Sequence, residues 1–238
     1  MILLLLLFAE LFFLFFLSQW LTQSVYALCL LIFRARSVAI TIITILNFPG
    51  TVIHELSHLF TAEVLGVRTG KLTLVPESIE RDPSTPLGTK IKAGSVMIAG
   101  SDPFRRYIIG LAPVVTGLVS ITALSYFLSQ QYYPITLLTI FYFYLLLAIS
   151  NAMFSSAEDL KGFLPFIITL CIMAGAAYIA GLRIGITGPA LAISTRILDA
   201  LTKSLGIVLA LNISGLLVSK LLISLTEKLT RRKIIRKR

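Results

Sequence analysis

Both histidines of the chain lie within one five-residue segment, His54-Glu55-Leu56-Ser57-His58. On a helix, side chains at i and i+4 share one face, so His54 and His58 can present two imidazole nitrogens to one metal ion. Zinc suits a set of two neutral imidazoles and a carboxylate, because such a set leaves a fourth position for water. We predict that Glu55 is the base that takes the proton of this water and later returns it to the leaving amine.

The residues around this motif are apolar, which is an unusual setting for three ionisable side chains. The neighbours are Ile53, Leu56, Leu59 and Phe60. A chance grouping on a core helix is the alternative interpretation, but burying three ionisable groups among apolar side chains costs free energy. Ionisable residues within a membrane segment indicate function by default. The setting therefore favours a metal site over a chance grouping.

The composition is that of a membrane protein. Of the 238 residues, 57% are hydrophobic and 13% are charged, and the mean hydropathy is +0.92. The long apolar runs are too many for a water-soluble core and are typical of membrane spans. We therefore predict an all-α polytopic membrane protein of one domain, 1–238, with about six transmembrane helices. Cys29 and Cys171 each stand alone in an apolar run, so neither a disulfide nor a thiolate site is indicated.

The first predicted span lies in 1–33, which contains no Lys or Arg and lacks the features of a signal peptide. Its apolar run reaches about 48 Å, more than a bilayer core of about 30 Å, so it must tilt, break near 18–20 or enter the interface. Pro49, just before the motif, predicts a kink or a fresh helix start. The other predicted spans are 37–65, which carries the motif, 107–128, 133–153, 163–180 and 205–225, with an interfacial amphipathic helix at 189–204.

Segment 66–106 is the one long polar stretch, and it is too polar to cross the membrane. Its parts 71–75 and 90–98 have alternating or β-branched patterns that predict a small β-hairpin around a proline-rich turn. The edge of this hairpin can hold an extended peptide by strand addition, and a plain interfacial loop is the alternative. No nucleic-acid-binding motif accompanies the basic residues here or in the tail 226–238, so membrane lipids, and not nucleic acid, are their predicted partners.

The basic residues predict the orientation in the cell membrane. With six spans, both termini lie on one side. Seven Lys and Arg residues fall in 66–106, one is Lys161 and seven lie from Lys228 onward, against five on the other side. Because such residues mark cytoplasmic loops, the larger group predicts the cytoplasm. The motif then lies in the cytoplasmic half of the second span, and Asp159 follows the cytoplasmic end of the fourth.

The motif and a second, distant segment resemble those of the site-2 protease family of intramembrane zinc metalloproteases. That family has His-Glu-x-x-His in one transmembrane helix and an Asn-x-x-Pro-x-x-x-x-Asp-Gly segment whose aspartate is the third zinc ligand. Asn151 and Asp159 keep this spacing, with Phe154 in place of the proline and Leu160 in place of the glycine. Segment 110–113, Gly-Leu-Ala-Pro, is also similar to the family's Gly-Pro-containing third helix.

The resemblance covers approximately residues 37–165, the expected catalytic core. It implies hydrolysis of peptide bonds in a substrate that is itself a membrane-spanning protein. The roles that it implies are Zn²⁺ held by His54, His58 and Asp159, Glu55 as the base, and Asn151 as a hydrogen-bond partner of the substrate backbone.

Two other acidic residues, Glu158 and Asp102, are the alternatives to Asp159 as the third ligand. The family spacing from Asn151 selects Asp159. Glu63 is poorly placed, because on a continuous helix it points well away from the two histidines.

Two functions without proteolysis also fit the residues. One is a membrane protein that binds zinc, or clamps transmembrane partners, without cutting them. The other is a transporter, since acidic and histidine residues in spans also mark ion paths. Glu55 favours the enzyme, because neither a scaffold nor a zinc carrier needs a base beside the metal ligands.

Overall fold

The structure is a computed structural model that describes residues 2–74, 79–80, 90–91, 95–98, 100–130, 136–154, 172–173, 176, 179–181 and 188–230. Its elements are α1 (Ile2–Phe33), α2 (Arg36–Val64), β1 (Thr69–Thr73), β2 (Ile79–Glu80), β3 (Lys90–Ile91), β4 (Ser95–Ile98), α3 (Pro103–Ser129), α4 (Leu137–Ala152) and α5 (Pro189–Thr230). The helices α1, α2, α3 and α5 are long and apolar enough to cross a membrane, and α4 is a shorter apolar helix of 16 residues. The predicted helical architecture is confirmed, with four candidate membrane spans among the described residues; the predicted number of six is not confirmed. The fifth predicted span, 163–180, lies outside the described residues except for 172–173, 176 and 179–180.

The first two helices form a tight antiparallel hairpin. Only two residues separate them, and the first, Arg34, has a positive φ of 57° that turns the chain. Side chains on both sides of the turn then pack together, namely Tyr26, Cys29, Ala39, Ile40 and Ile43. Because α1 is unbroken over 32 residues, it does not break near 18–20, and tilting or entry into the interface remains the way to fit its length.

The core lies where α1, α3, α4 and α5 meet. Its fully buried side chains are Leu14, Ile121, Leu146, Leu205 and Val208. The outside of the bundle is apolar as well, since Phe12, Val119 and Leu221 are each at least 60% exposed. An apolar surface of this kind suits a lipid environment, where hydrocarbon and not water covers the helices.

The helices α1 and α5 run in the same direction. A Cβ on Gly206 would lie 3.9 Å from Oε1 of Glu10, and a Cβ on Gly215, further along α5, would lie 3.3 Å from Leu21, further along α1. The start of α1 and the end of α5 therefore lie at opposite ends of the bundle. The predicted even number of crossings, with both termini on one side of the membrane, is not confirmed.

The direction of α5 bears on the predicted orientation. Strands β1 and β4 of the basic segment 66–106 follow α2 and lie at the end of the bundle where α1 begins. Lys228 lies in the last turn of α5, at the other end of the bundle. The basic residues after Thr230 lie outside the described residues, so the assignment of the cytoplasmic side by charge stays a prediction.

The last helix is a single unit of 42 residues, which corrects its predicted division into an interfacial helix, 189–204, and a span, 205–225. Hydroxyl groups at the expected boundary donate hydrogen bonds back to their own helix: Thr202 to the Leu198 carbonyl and Ser204 to the Ala200 carbonyl. These polar residues are therefore compatible with an uninterrupted helix. At 1.5 Å per residue, α5 is about 63 Å long, so it exceeds the thickness of the hydrocarbon core.

The polar segment contains the predicted small antiparallel pairing, formed by β1 and β4, and a second short pair that was not predicted. Strand β1 pairs with β4, with Thr69 opposite Ile98 and Thr73 opposite Ser95, and β2 pairs with β3. The Oγ1 atom of Thr73 and the Oγ atom of Ser95 are 2.7 Å apart, which adds a side-chain hydrogen bond to the pair. A two-stranded sheet of this size needs support from other elements.

That support comes from the end of α2. Gly66 adopts a left-handed φ of 68°, its N–H bonds the Glu63 carbonyl, and the Val67 N–H bonds the Ala62 carbonyl. This pair of bonds is a Schellman motif, which ends the helix and turns the chain toward β1. Ala62 and Val67 then pack with Ile109 of α3. The sheet is thereby fixed at the end of α2 that carries the motif.

Candidate metal centre

The motif lies on one continuous helix. Pro49 is inside α2 and does not start a new helix, so that part of the prediction is wrong. Gly50 allows α2 to touch the backbone of α4, because a Cβ at this position would overlap the Ala148 carbonyl and lie 2.8 Å from the Ala152 Cβ. This contact lies one turn before His54 and fixes the motif against α4.

The two imidazoles converge on one point, as predicted. His54 and His58 are 3% and 6% exposed, and their Nε2 atoms are 3.2 Å apart. Zinc–nitrogen bonds of 2.0–2.1 Å at a tetrahedral angle place two ligand nitrogens about 3.4 Å apart. The observed separation is therefore close to the one that a shared zinc ion requires, and the two residues fit this metal.

A backbone group of α3 orients one of the ligands. The Nδ1 atom of His58 lies 2.9 Å from the carbonyl oxygen of Ile109. Because a carbonyl can only accept, Nδ1 carries the proton and donates it, which leaves the lone pair on Nε2. Metal-binding histidines commonly donate their other ring N–H in this way, and the bond fixes both the tautomer and the ring orientation.

Glu55 is enclosed in the same part of the bundle. It is 4% exposed and directly follows His54 on α2. At about 100° of rotation per residue, its position on the helix is close to that of His58 on one side, so all three side chains leave a single sector of α2. Ser57 lies within the motif too, but its hydroxyl donates to the His54 carbonyl at 2.6 Å and is used within the helix. The arrangement provides a carboxylate beside the paired imidazoles.

The predicted third ligand lies outside the described residues, as does its neighbour Glu158, so Asp159 stays a prediction. Within the part of the chain that the structure describes, no third His, Cys, Asp or Glu joins the histidines. The end of α4 is close to the motif helix, however, since Ala152 faces Gly50. Asp159 is seven residues further along, a distance of at most about 25 Å for an extended chain, so it is within reach of the histidines.

Asp102 has another role. It is the N-cap of α3, where its Oδ1 accepts from the Arg105 N–H at 2.9 Å and its Oδ2 pairs with the Arg105 Nε at 3.1 Å. Its side chain is 52% exposed at the surface, whereas the histidines are buried. Glu63 is exposed, in agreement with its predicted direction away from the site.

Asn151 faces a cavity between α1, α2, α4 and α5. The cavity has a volume of about 280 Å³, and its polar lining residues include Thr22, Asn47 and Tyr144. Asn47 is seven residues before His54, so the cavity lies toward the other half of α2. The Oδ1 atom of Asn151 is buried and accepts no hydrogen bond from the described residues. The predicted contact with a substrate backbone stays a prediction, and an unused acceptor is compatible with it.

A second cavity lies beside the motif, between α2 and α3. Its volume is about 210 Å³, and its lining includes Thr61, Tyr107, Ala112 and Thr116. Thr61 is three residues after His58 on α2, and Ala112 is three residues after the Ile109 carbonyl that holds this histidine. Neither histidine lines this cavity, which lies about one helical turn from His58 along α2.

Several contacts that build this region were not predicted. The Ile109 carbonyl belongs to the backbone, so its residue type carries no signal. Asn212 of α5 is fully buried and donates from Nδ2 to Oγ of Ser150 at 3.2 Å, which links α5 to α4 beside Asn151. A lone asparagine within an apolar run is the signal that could have indicated this bridge, because such residues bond across helices in membranes.

No family model, curated protein or solved structure matches this chain.

Proposed function

We propose that the protein is an intramembrane zinc metalloprotease that cleaves membrane-spanning protein substrates. The observation that carries the proposal is the convergence of His54 and His58, with their Nε2 atoms 3.2 Å apart and the His58 Nδ1–H held by α3. Glu55, buried directly beside them, supplies the group that a hydrolase needs and a simple zinc carrier does not.

Three residues would hold the metal: the two histidines and Asp159. A dication in a low-dielectric interior needs a carboxylate as well as neutral imidazoles, and zinc commonly takes such a set with one open position. When bound, zinc polarises the substrate carbonyl and lowers the pKa of water. Glu55 accepts the proton that the attacking water gives up and passes it to the departing amine, a transfer at its carboxylate oxygens.

The setting of the site supports a substrate from the membrane. The motif lies within an apolar helix of 29 residues that is long enough to span a bilayer. A transmembrane helix must unwind before its carbonyl groups can reach a metal. The sheet of β1 and β4, fixed at the end of α2, has outer edges that an unwound segment can join by strand addition.

We also propose that the sheet and the motif end of α2 face the cytoplasm. The seven basic residues of 66–106 support this orientation. Lys228, in the last turn of α5 at the opposite end of the bundle, opposes it. The proposal of proteolysis does not depend on this choice.

The test is cleavage of a model transmembrane peptide by the purified protein, together with measurement of bound zinc. We expect Glu55→Gln to keep the fold and the zinc but to lose proteolysis, because an amide fills the same space and cannot accept the proton. Equal cleavage by the wild type and the variant would disprove the role of Glu55. Zinc binding without cleavage in the wild type would instead favour a protein that clamps transmembrane partners.

A further inference from the structure

The carbonyl that holds His58 has lost its usual partner within α3. In an α-helix, the carbonyl of residue i accepts from the N–H of residue i+4. Four residues after Ile109 comes Pro113, which lies inside α3 and has no N–H to donate. The Ile109 carbonyl is therefore released from the helix ladder, and this carbonyl is the one that accepts the His58 Nδ1–H at 2.9 Å.

The same relation occurs a second time in the bundle. Pro49 lies inside α2, and the carbonyl that it releases, that of Ile45, accepts from the Tyr144 hydroxyl of α4 at 3.4 Å. Within a membrane, a released carbonyl needs a partner from a neighbouring helix, because lipid offers none. Both prolines thus exchange a bond within a helix for a bond between helices. In only one case is the new donor a candidate metal ligand.

We propose that Pro113 is a positioning residue for the metal centre, an inference that rests on the proposed zinc site. By releasing the Ile109 carbonyl, it keeps the proton of His58 on Nδ1 and points the Nε2 lone pair toward Nε2 of His54. An unreleased carbonyl would already accept from the N–H of residue 113 and would be a weaker partner for the imidazole. The proline therefore determines which nitrogen of His58 meets the metal.

A purely structural role for Pro113 is the alternative. Its ring is buried, and it contributes to the contact of α3 with its neighbours. That role predicts a change in stability when the ring is removed, but it predicts nothing about the tautomer of His58. The tautomer of the metal-free protein is therefore the property that separates the two roles.

The experiment is nitrogen-15 NMR of the metal-free protein with labelled histidine. The chain has two histidines, so His54→Gln identifies the signals of His58. We expect wild-type His58 to carry its proton on Nδ1. In Pro113→Ala, the new N–H competes for the Ile109 carbonyl, so the Nδ1–H population should fall and zinc binding should weaken about 10-fold.

Pro49→Ala is the matched control, because it restores a backbone N–H at the other proline without involving the Ile109 carbonyl. It should leave the His58 tautomer as in the wild type and the zinc affinity nearly unchanged. Thermal unfolding of both variants checks that they fold. If Pro113→Ala does not fold, wild-type His58 with its proton on Nε2 would still overturn the inference.

Two results would overturn the inference: wild-type His58 with its proton on Nε2, or a folded Pro113→Ala with the wild-type tautomer. Neither measurement uses proteolysis. If the protein binds zinc and does not cleave, the proposed function fails while the role of Pro113 stands. If it cleaves and the tautomer does not respond to Pro113→Ala, only the role of Pro113 fails.

Discussion

The contact between α1 and α5 and the contacts of α2 with α3 and α4 hold the bundle together by different means. The first is apolar, with Leu14, Leu205 and Val208 in its core. The second includes close and specific contacts, with Gly50 against the backbone of α4 and His58 bonded to a carbonyl of α3. In lipid, apolar side chains gain little by leaving hydrocarbon, so close packing and hydrogen bonds do more to fix the helices. The helices around the motif are therefore held in more closely defined positions relative to one another than α1 and α5 are.

The largest effect is expected for Asp159→Ala, which tests whether Asp159 is the third ligand of the proposed zinc site. Structural zinc sites bind with about 10–16 kcal/mol, so one ligand of the set contributes enough that Asp159→Ala should weaken zinc binding by about 100-fold. Glu158→Ala is the control and should change zinc binding little, because adjacent side chains face different directions. The zinc affinities of the two variants are measured by competition with a chelator and compared with that of the wild type. The reverse ranking would show that the alignment of this segment is wrong by one residue.

Two glycine variants, one at the α2–α4 contact and one at the α1–α5 contact, compare how each contact tolerates an added methyl group. Gly50→Ala places a methyl group on the Ala148 carbonyl, so α2 and α4 must separate, and the free energy of unfolding should fall by about 2 kcal/mol. Gly206→Ala adds the same methyl group to the α1–α5 contact, where the nearest atom is 3.9 Å away. Because alanine favours a helix over glycine by about 1 kcal/mol, this variant should be as stable as the wild type or more so. Equal losses in reversible unfolding in micelles would remove the distinction between the two contacts.

The smallest perturbation tests the parallel arrangement of α1 and α5. Gly100→Cys and Thr230→Cys are introduced singly after Cys29→Ser and Cys171→Ser, at exposed positions near the two ends of the bundle, with little change in stability expected. An impermeant maleimide should label Thr230→Cys in intact cells and Gly100→Cys only after lysis. Labelling of both from one side would contradict the parallel arrangement. The reverse pattern would keep that arrangement and place the motif at the outer surface.

The sequence was informative where function depends on local spacing. The i, i+4 relation of the histidines is a property of any helix, so their convergence could be predicted without knowledge of the fold. The strands were predictable for the same reason, since alternation and a turn are local features. The third ligand was assigned from a family spacing alone, and it stays a prediction.

Long-range features were not predictable in this way. The direction of α5 depends on which faces of α1 and α4 it packs against, and hydropathy carries no information about this. Its uninterrupted length was missed because Thr202 and Ser204 look like the polar end of a helix, although their hydroxyls bond within it. The partner of His58 was missed because it is a backbone atom of Ile109, which the sequence marks only through Pro113, four residues later.

The turn at Gly66 would set a length scale for the proposed substrate. From His58 to Val64, α2 rises about 9 Å, and the Schellman turn then leads directly into β1 at Thr69. An extended peptide advances about 3.3 Å per residue, so roughly three or four residues span this distance. A substrate segment paired with the sheet would thus reach the imidazoles a few residues from its paired part. The position of cleavage would then depend on the distance from the paired residues and not on the side chains at the scissile bond.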